Sequence, residues 1–157
     1  MNAISSVYGR LLNVLDLIPY WIVALAARFY VSYAFFNSAL TKIVGWNPFD
    51  LQSSAVFLFK QEYKLHTYFG EFAMPFPEVM AQLSAIGEFF LPILVMLGLF
   101  ARFGALGLLV MTGVIQLVYP NAWALVHLPW AIALVLIMAK GPGLVSLDHI
   151  LGLDRGR

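Results

Sequence analysis

Four polar side chains lie inside stretches that are otherwise apolar, and their types are ones that can do chemistry: Arg28, Glu88, Gln116 and His127. An ionisable side chain inside a membrane span costs about 2.5–3.5 kcal/mol on insertion scales and by default marks a functional site. A carboxylate, a guanidinium and an imidazole near one another can bind a small molecule or a metal ion, or relay protons. We therefore predict that these four residues line a polar pocket within the membrane.

The depths of these residues in their spans bring them close to one level. At a rise of about 1.5 Å per residue, Glu88, Gln116 and His127 each lie about 18–20 Å from the inner end of their span. Arg28 lies lower, at about 14 Å, and Lys42 lies above the layer. Two compatible interpretations remain open. Arg28 and Glu88 form a buried ion pair that locks helix register, or they form the floor of a ligand-binding cavity open to the outer face.

Two ligand classes fit these side chains, and the sequence does not decide between them. His127 and Glu88 with Met111 could bind copper, because imidazole and thioether ligands suit that metal. A quinone is the other candidate: an imidazole or guanidinium would bond its carbonyl oxygen, and Trp123 or Trp130 would pack on its ring. The chain has no cysteine, which excludes thiolate zinc sites and iron–sulfur ligation. It also has no nucleophile, P-loop or dinucleotide motif, so the question of enzymatic activity stays open.

The elements that must position these residues are membrane-spanning helices. Of 157 residues, 62% are hydrophobic and 11% are charged, and the mean hydropathy is +0.86. A soluble domain has about 45–50% apolar and about 25% charged residues, so this composition excludes one. The net charge of +1 gives no reason to expect a nucleic-acid partner. Four apolar stretches are long enough to cross a bilayer: about 19–40, 79–100, 103–119 and 122–139.

The connections between these spans predict an all-α membrane protein, an antiparallel four-helix transmembrane bundle. Ala101-Arg102 and Pro120-Asn121 are links so short that the helices they join must be antiparallel neighbours.

The first two spans are joined by a much longer connection, residues 43–78, which we expect to be structured. Its first half is expected to be helical, with Asp50, Ser53 or Ser54 as the cap and with Val56, Phe59 and Tyr63 on one face. Its second half contains Pro75 and Pro77 and is expected to be extended.

Lysine and arginine predict the orientation in the membrane. The side with both termini carries Arg10, Arg102, Lys140, Arg155 and Arg157, whereas the other side carries Lys42, Lys60 and Lys64. The positive-inside rule therefore places both termini in the cytoplasm and the long connection outside. A cleaved signal peptide is the alternative, because Ala24-Leu25-Ala26 has the form of a cleavage site. The apolar run continues past it to Leu40, so we expect a retained helix.

These residues resemble the DoxX family of small bacterial membrane proteins over roughly residues 20–150. The resemblance rests on Arg28, Lys42, Glu88, the run Leu97-Gly98-Leu99-Phe100-Ala101-Arg102, a histidine in the fourth span, and the closing Gly141-Pro142-Gly143-Leu144-Val145-Ser146-Leu147-Asp148. In that closing segment the glycines are a helix stop and Ser146 is a cap for a short helix. The sequence departs from many members at Asn37-Ser38-Ala39, where they have a glycine before the lysine.

The resemblance implies a single four-helix domain over residues 1–157 in the bacterial plasma membrane, and it leaves two functions open. Some relatives are membrane subunits of a thiosulfate:quinone oxidoreductase, and others are linked to oxidative, thiol or metal stress through partner proteins. The first hypothesis is an accessory subunit in redox or metal-stress handling, with the polar pocket as its site. The second is a quinone-binding subunit whose electron donor lies on a soluble partner. The partners implied are the lipid bilayer and either that redox protein or further copies of this chain.

Overall fold

The computed structural model describes residues 17–154, together with residues 7, 8 and 12. This part of the chain is mostly helical, and its helices are α1 (Tyr20–Leu40), α2 (Ser53–Phe57), α3 (Pro77–Leu97), α4 (Ala101–Val118), α5 (Leu128–Lys140) and α6 (Leu147–Ile150). Three of the arginines used to predict the orientation, Arg10, Arg155 and Arg157, lie outside the described residues.

Four segments are long and apolar enough to cross a membrane: α1, α3, α4 and Pro120–Lys140. The predicted spans are therefore confirmed, with boundaries that agree within three residues. The fourth span is not one regular helix, because a 3-10 turn (Pro120–Ala122) and a π-helical turn (Trp123–His127) precede α5. The prediction that Ala101-Arg102 links the second and third spans is wrong. These two residues begin α4, and Gly98, Leu99 and Phe100 connect α3 to α4.

The four spans pack on one another in pairs. Helix α1 contacts α3 and α5, and α4 contacts the same two helices. Large apolar side chains fill the centre, whereas alanines that are completely buried occur at Ala24, Ala81, Ala85, Ala101 and Ala105. Small residues let helix backbones approach closely, which is how helices gain packing energy in lipid, where burial of apolar surface gains little.

The long connection is structured, and two hairpins flank a short helical piece. Strand β1 (Ile43–Val44) pairs with β2 (Asn47–Leu51), and β3 (Lys64–Thr67) pairs with β4 (Gly70–Ala73), both antiparallel. Between them, α2 is followed by a second π-helical turn, Leu58–Glu62. The expected helix and the extended second half are present.

The expectation of a helical first half is wrong for residues 43–51. They form the first hairpin, because Gly45 adopts a positive φ of 61° in its two-residue turn. The expected cap is also wrong: Gln52 is the N-cap of α2 and makes no side-chain capping bond.

The segment after α5 folds back onto the turn between α3 and α4. Helix α5 ends at Lys140 with Gly141 as its C-cap, and Ser146 caps α6 by accepting a hydrogen bond from the His149 backbone nitrogen. Both helix signals are therefore confirmed. The Asp148 backbone nitrogen donates to the Gly98 carbonyl at 2.8 Å, which joins this segment to the end of α3.

Gly98 supplies the first prediction, because it combines a positive φ with a crowded site. A Cβ atom there would lie 2.5 Å from the Ser146 Cβ and 2.9 Å from an Arg28 nitrogen, whereas one at Gly45 would meet nothing within 4 Å. Alanine at a left-handed position costs roughly 1–2 kcal/mol. We expect Gly98→Ala to lower the melting temperature in detergent well beyond the loss caused by the matched control Gly45→Ala. Equal losses would show that Gly98 is needed only for its φ.

Candidate functional site

The structure separates the four predicted pocket residues into two places. Arg28 lies beside the C-terminal end of α3, which is the end away from the long connection and which we call the inner end. Its Nε donates to the Val95 carbonyl at 2.8 Å and its Nη2 donates to the Met96 carbonyl. Its Nη1 donates to the carbonyls of Val145 at 2.6 Å and Pro142 at 3.1 Å. The last carbonyls of a helix have no partner within the helix, and the guanidinium satisfies two of those of α3.

The predicted ion pair between Arg28 and Glu88 is therefore wrong. Arg28 is level with Val95, which is about 10 Å along α3 from Glu88. Asp148 lies near enough to Arg28 to interact with its charge. The carboxylate of Asp148 accepts hydrogen bonds from the backbone nitrogens of Phe100 at 2.8 Å and Ala101 at 2.9 Å, at the start of α4. Arg28 and Asp148 thus join α1, α3, α4 and the C-terminal segment, and we name these two residues the inner clasp.

Two of the other predicted residues, Glu88 and His127, line a cavity towards the ends of the spans that adjoin the long connection, which we call their outer ends, and Gln116 lies beside His127 without lining the cavity. Its volume is about 520 Å³, within the usual range of small-molecule sites, about 300–1,000 Å³. Most of its lining is apolar, and its outer end is lined by Ala55 of α2, by Leu58 and Phe59 of the second π-helical turn, and by Met74, which follows β4. Its polar or aromatic lining residues are Ser38, Thr41, Lys42, Phe59, Tyr63, Ser84, Glu88, Tyr119, His127 and Trp130.

Glu88 is neutralised by Lys42 rather than by Arg28. Lys42 Nζ lies 2.6 Å from Glu88 Oε2, and the two side chains are 13% and 2% exposed. Lys42 Nζ also donates to the Ser38 hydroxyl at 2.8 Å and to the Ser38 carbonyl at 3.2 Å, so its three N–H groups are all used. The other Glu88 oxygen accepts from the Ser84 hydroxyl at 2.9 Å. The pair ties the end of α1 to α3 and forms one wall of the cavity.

Gln116 and His127 meet, as their predicted depths suggested. The Gln116 amide nitrogen donates to the Pro120 carbonyl at 3.0 Å, which directs its amide oxygen to His127 Nδ1 at 2.5 Å. An amide oxygen only accepts, so Nδ1 carries the proton, and Nε2 of the neutral ring is an acceptor. No fully buried side-chain nitrogen or oxygen of the described residues lacks a partner. The unbonded Nε2 is therefore open to the cavity that His127 lines.

Two irregular turns deliver side chains to this cavity. Trp123–His127 is π-helical and ends in His127, and Leu58–Glu62 is π-helical and carries Leu58 and Phe59 into the lining. Single π-helical turns are frequent at functional sites. Pro129 follows the first of these turns and has no N–H to continue a regular helical ladder. Pro129 is thus a signal in the sequence for an irregular start of the fourth span.

Aromatic rings make up much of the remaining wall. The Trp130 ring lies 5.5 Å from the His127 ring, whereas Trp123, the other predicted packing partner, does not line the cavity. Tyr63 and Tyr119 stack edge to face at 5.7 Å near the outer end. Burial raises the pKa of Tyr63, and its hydrogen bond with Tyr119 raises it further, so this phenol stays protonated at neutral pH.

Lys42, Glu88 and His127 favour a ligand that donates hydrogen bonds in the deeper part of the cavity. The N–H groups of Lys42 are occupied, Glu88 only accepts, and His127 Nε2 accepts. The predicted donation from an imidazole or guanidinium to a quinone carbonyl is therefore not available in the neutral site. A hydroxyl on an aromatic ring would match these acceptors and the walls.

The residues considered for copper, Glu88, Met111 and His127, all line the same cavity. Within the described part of the chain, however, no group of three or more histidine, aspartate or glutamate side chains could hold a metal ion.

The comparison with protein families agrees with this architecture. The DoxX family model matches residues 23–127, which make up two thirds of the chain. The chain belongs to the DoxX family. No curated protein and no solved structure matches it. The matched range of this DoxX protein begins at residue 23 within α1, ends at His127, and includes every cavity-lining residue except Trp130. It is a membrane protein, and its described residues include four apolar segments long enough to span a membrane.

The ion pair supplies the second prediction. Removing one partner of a buried pair costs about 3–5 kcal/mol because the other charge is left unpaired. We expect Lys42→Met and Glu88→Gln each to lower the free energy of unfolding in detergent, and the double variant to lose clearly less than the sum. The control cycle combines Glu88→Gln with Arg28→Gln, whose losses should add within about 0.5 kcal/mol. If the losses in the control cycle couple and those in the first cycle add, Glu88 is paired with Arg28 and not with Lys42.

Proposed function

We propose that this DoxX protein binds a hydroquinone in its cavity and is the quinone-binding membrane subunit of a redox system. The observation that carries the proposal is the unbonded Nε2 of His127, an acceptor that faces an aromatic-walled cavity at membrane depth. The cavity volume of about 520 Å³ suits a substituted aromatic ring.

The proposal assigns chemistry to this chain and to a partner. Reduction of a quinone to a hydroquinone takes up two electrons and two protons. The two electrons come from a redox centre on a soluble partner protein, so turnover is a property of the complex. One proton passes by way of His127 Nε2, which accepts the hydrogen bond of one hydroxyl of the hydroquinone, and the other comes from water, while Gln116 keeps the imidazole ring oriented. A second copy of this chain is the alternative partner.

We further infer an antiparallel four-helix bundle in the bacterial plasma membrane, with both termini in the cytoplasm. The pairwise packing of the four spans supports the bundle. Placing the hairpins, α2 and the cavity mouth outside follows from the lysine and arginine distribution. The structured domain then includes residues up to 154, because the inner clasp holds the segment after α5.

The orientation yields the third prediction. The chain has no cysteine, so a single introduced thiol is the only one present. We expect Ser53→Cys, exposed at the start of α2, to react with a membrane-impermeant maleimide in intact cells. The matched variant Leu153→Cys, exposed in the C-terminal segment, should react only after lysis. The reverse pattern would overturn the proposed orientation.

Ligand binding yields the fourth prediction. In deaerated nanodiscs, we expect 2,3-dimethoxy-5-methyl-1,4-benzohydroquinone to bind about tenfold more tightly than its oxidised quinone, a difference of about 1.4 kcal/mol. This is the size of one hydrogen bond to an otherwise unpaired acceptor. His127→Phe should remove the preference and leave quinone affinity within about twofold.

His66→Phe is the matched control, because His66 lies in β3 and does not line the cavity. It should leave both affinities unchanged. Melting temperatures of both variants separate a lost hydrogen bond from a lost fold. Equal binding of the two oxidation states by the wild-type protein would refute the hydroquinone preference, and binding of neither would refute the proposed function.

A further inference from the structure

Some residues on the lipid-facing side of α4 also line the cavity. Exposed apolar residues recur on this helix every three or four positions, which marks one face: Phe103, Leu106, Val110, Val114 and Leu117. In a membrane-spanning helix such a face is turned to lipid. Val110 and Val114 belong to this face, yet both also line the cavity. They lie about 12 Å and 6 Å from the outer end of α4, within the hydrocarbon region.

The neighbouring helix α3 shows the same arrangement. Four of its exposed apolar residues, Val79, Leu83, Phe90 and Leu97, again share one face, and Met96 is exposed beside the last of them. Leu83 is the member that also lines the cavity, and it lies about 9 Å from the outer end of α3. Helices α3 and α4 pack against each other. The cavity therefore reaches the lipid face of the protein along the seam between these two helices.

The deeper end of the cavity differs in chemistry from this seam. The ion pair Lys42–Glu88 and His127 are on its inner walls, whereas the residues of the seam are wholly apolar. A molecule that filled both parts would need a polar end and a hydrocarbon end. It would also reach the site from the bilayer, because its apolar end is soluble there.

We propose that Leu83, Val110 and Val114 frame a lateral portal between α3 and α4. Through it the cavity takes a lipid-dissolved amphiphile whose hydroxylated ring lies at His127 and whose hydrocarbon tail extends into the bilayer. This inference rests on the proposed function for the ring and adds the ligand class, a long-tailed molecule rather than a small water-soluble phenol. The tail stays in an environment as apolar as lipid, so its contribution comes from packing along the portal rather than from leaving water.

The test compares two ligands with the same ring. One is the tail-free dimethoxy-methyl-benzohydroquinone, and the other carries a decyl tail. Binding of tritiated ligand to nanodiscs is measured, with empty nanodiscs subtracted for partitioning into lipid. The portal is narrowed with the double variant Leu83→Phe/Val110→Phe, which adds apolar volume on lipid-facing positions and leaves His127 in place.

Narrowing the portal should weaken binding of the decyl ligand about tenfold, or about 1.4 kcal/mol, and should leave the tail-free ligand within about twofold. The control is Ile132→Phe on α5, because Ile132 is 62% exposed, as Val110 is at 61%, but does not line the cavity. It should change neither affinity.

Four outcomes would overturn the portal. If the decyl ligand binds the narrowed variant as well as the wild type, the tail does not pass between α3 and α4. If both ligands weaken equally, the substitutions act on the ring site. If the wild-type protein binds neither ligand, the proposed function fails and the portal fails with it. Binding of the tail-free ligand alone would leave the proposed function standing and remove the portal.

Discussion

The ion pair between Lys42 and Glu88 is the interaction on which the cavity depends. A carboxylate at membrane depth needs a positive charge beside it, because the hydrocarbon region contains no water to solvate it. Lys42 supplies this charge from the end of α1, and it is itself held by the Ser38 carbonyl and hydroxyl. The cross-link keeps the outer ends of α1 and α3 at a fixed separation. The cavity forms between that cross-link, α4 and the start of the fourth span.

The inner clasp compensates buried charges at the other end of the spans, and its partners are mostly backbone groups. The guanidinium of Arg28 has five donors, and backbone carbonyls from α3 and from the C-terminal segment take up four bonds. Asp148 satisfies the free backbone nitrogens at the start of α4. Two polar clusters thus hold the spans together, one towards each end of the spans, and the two clusters share no residue. This separation leaves the cavity free to be shaped by ligand chemistry.

Much of the architecture could be predicted because hydropathy and helix punctuation are local properties. The four spans, the end of α4 before Pro120, the end of α5 at Gly141 and the cap at Ser146 all follow from short stretches. The partner of Arg28 could not be predicted, since backbone carbonyls at a helix end leave no mark in a side-chain pattern. Residue counting along α1 predicts Lys42 above the polar layer, because such counting ignores the reach of a long side chain. The hairpin at residues 43–51 is too short to show periodicity.

The contact between Gln116 and His127 could be predicted from their depths in the membrane. Which imidazole nitrogen carries the proton could not. Only the bond from Gln116 to the Pro120 carbonyl sets the amide orientation, and through it the proton of the imidazole. An acceptor without a partner in apolar surroundings costs about 1–3 kcal/mol. A ligand hydroxyl removes this cost by donating a hydrogen bond to Nε2. A carbonyl oxygen in the same place leaves Nε2 unpaired, and the two acceptors repel each other. Selectivity for one oxidation state of the same ring can thus arise from one imidazole nitrogen, because sites with unpaired polar groups discriminate more strongly than apolar pockets do.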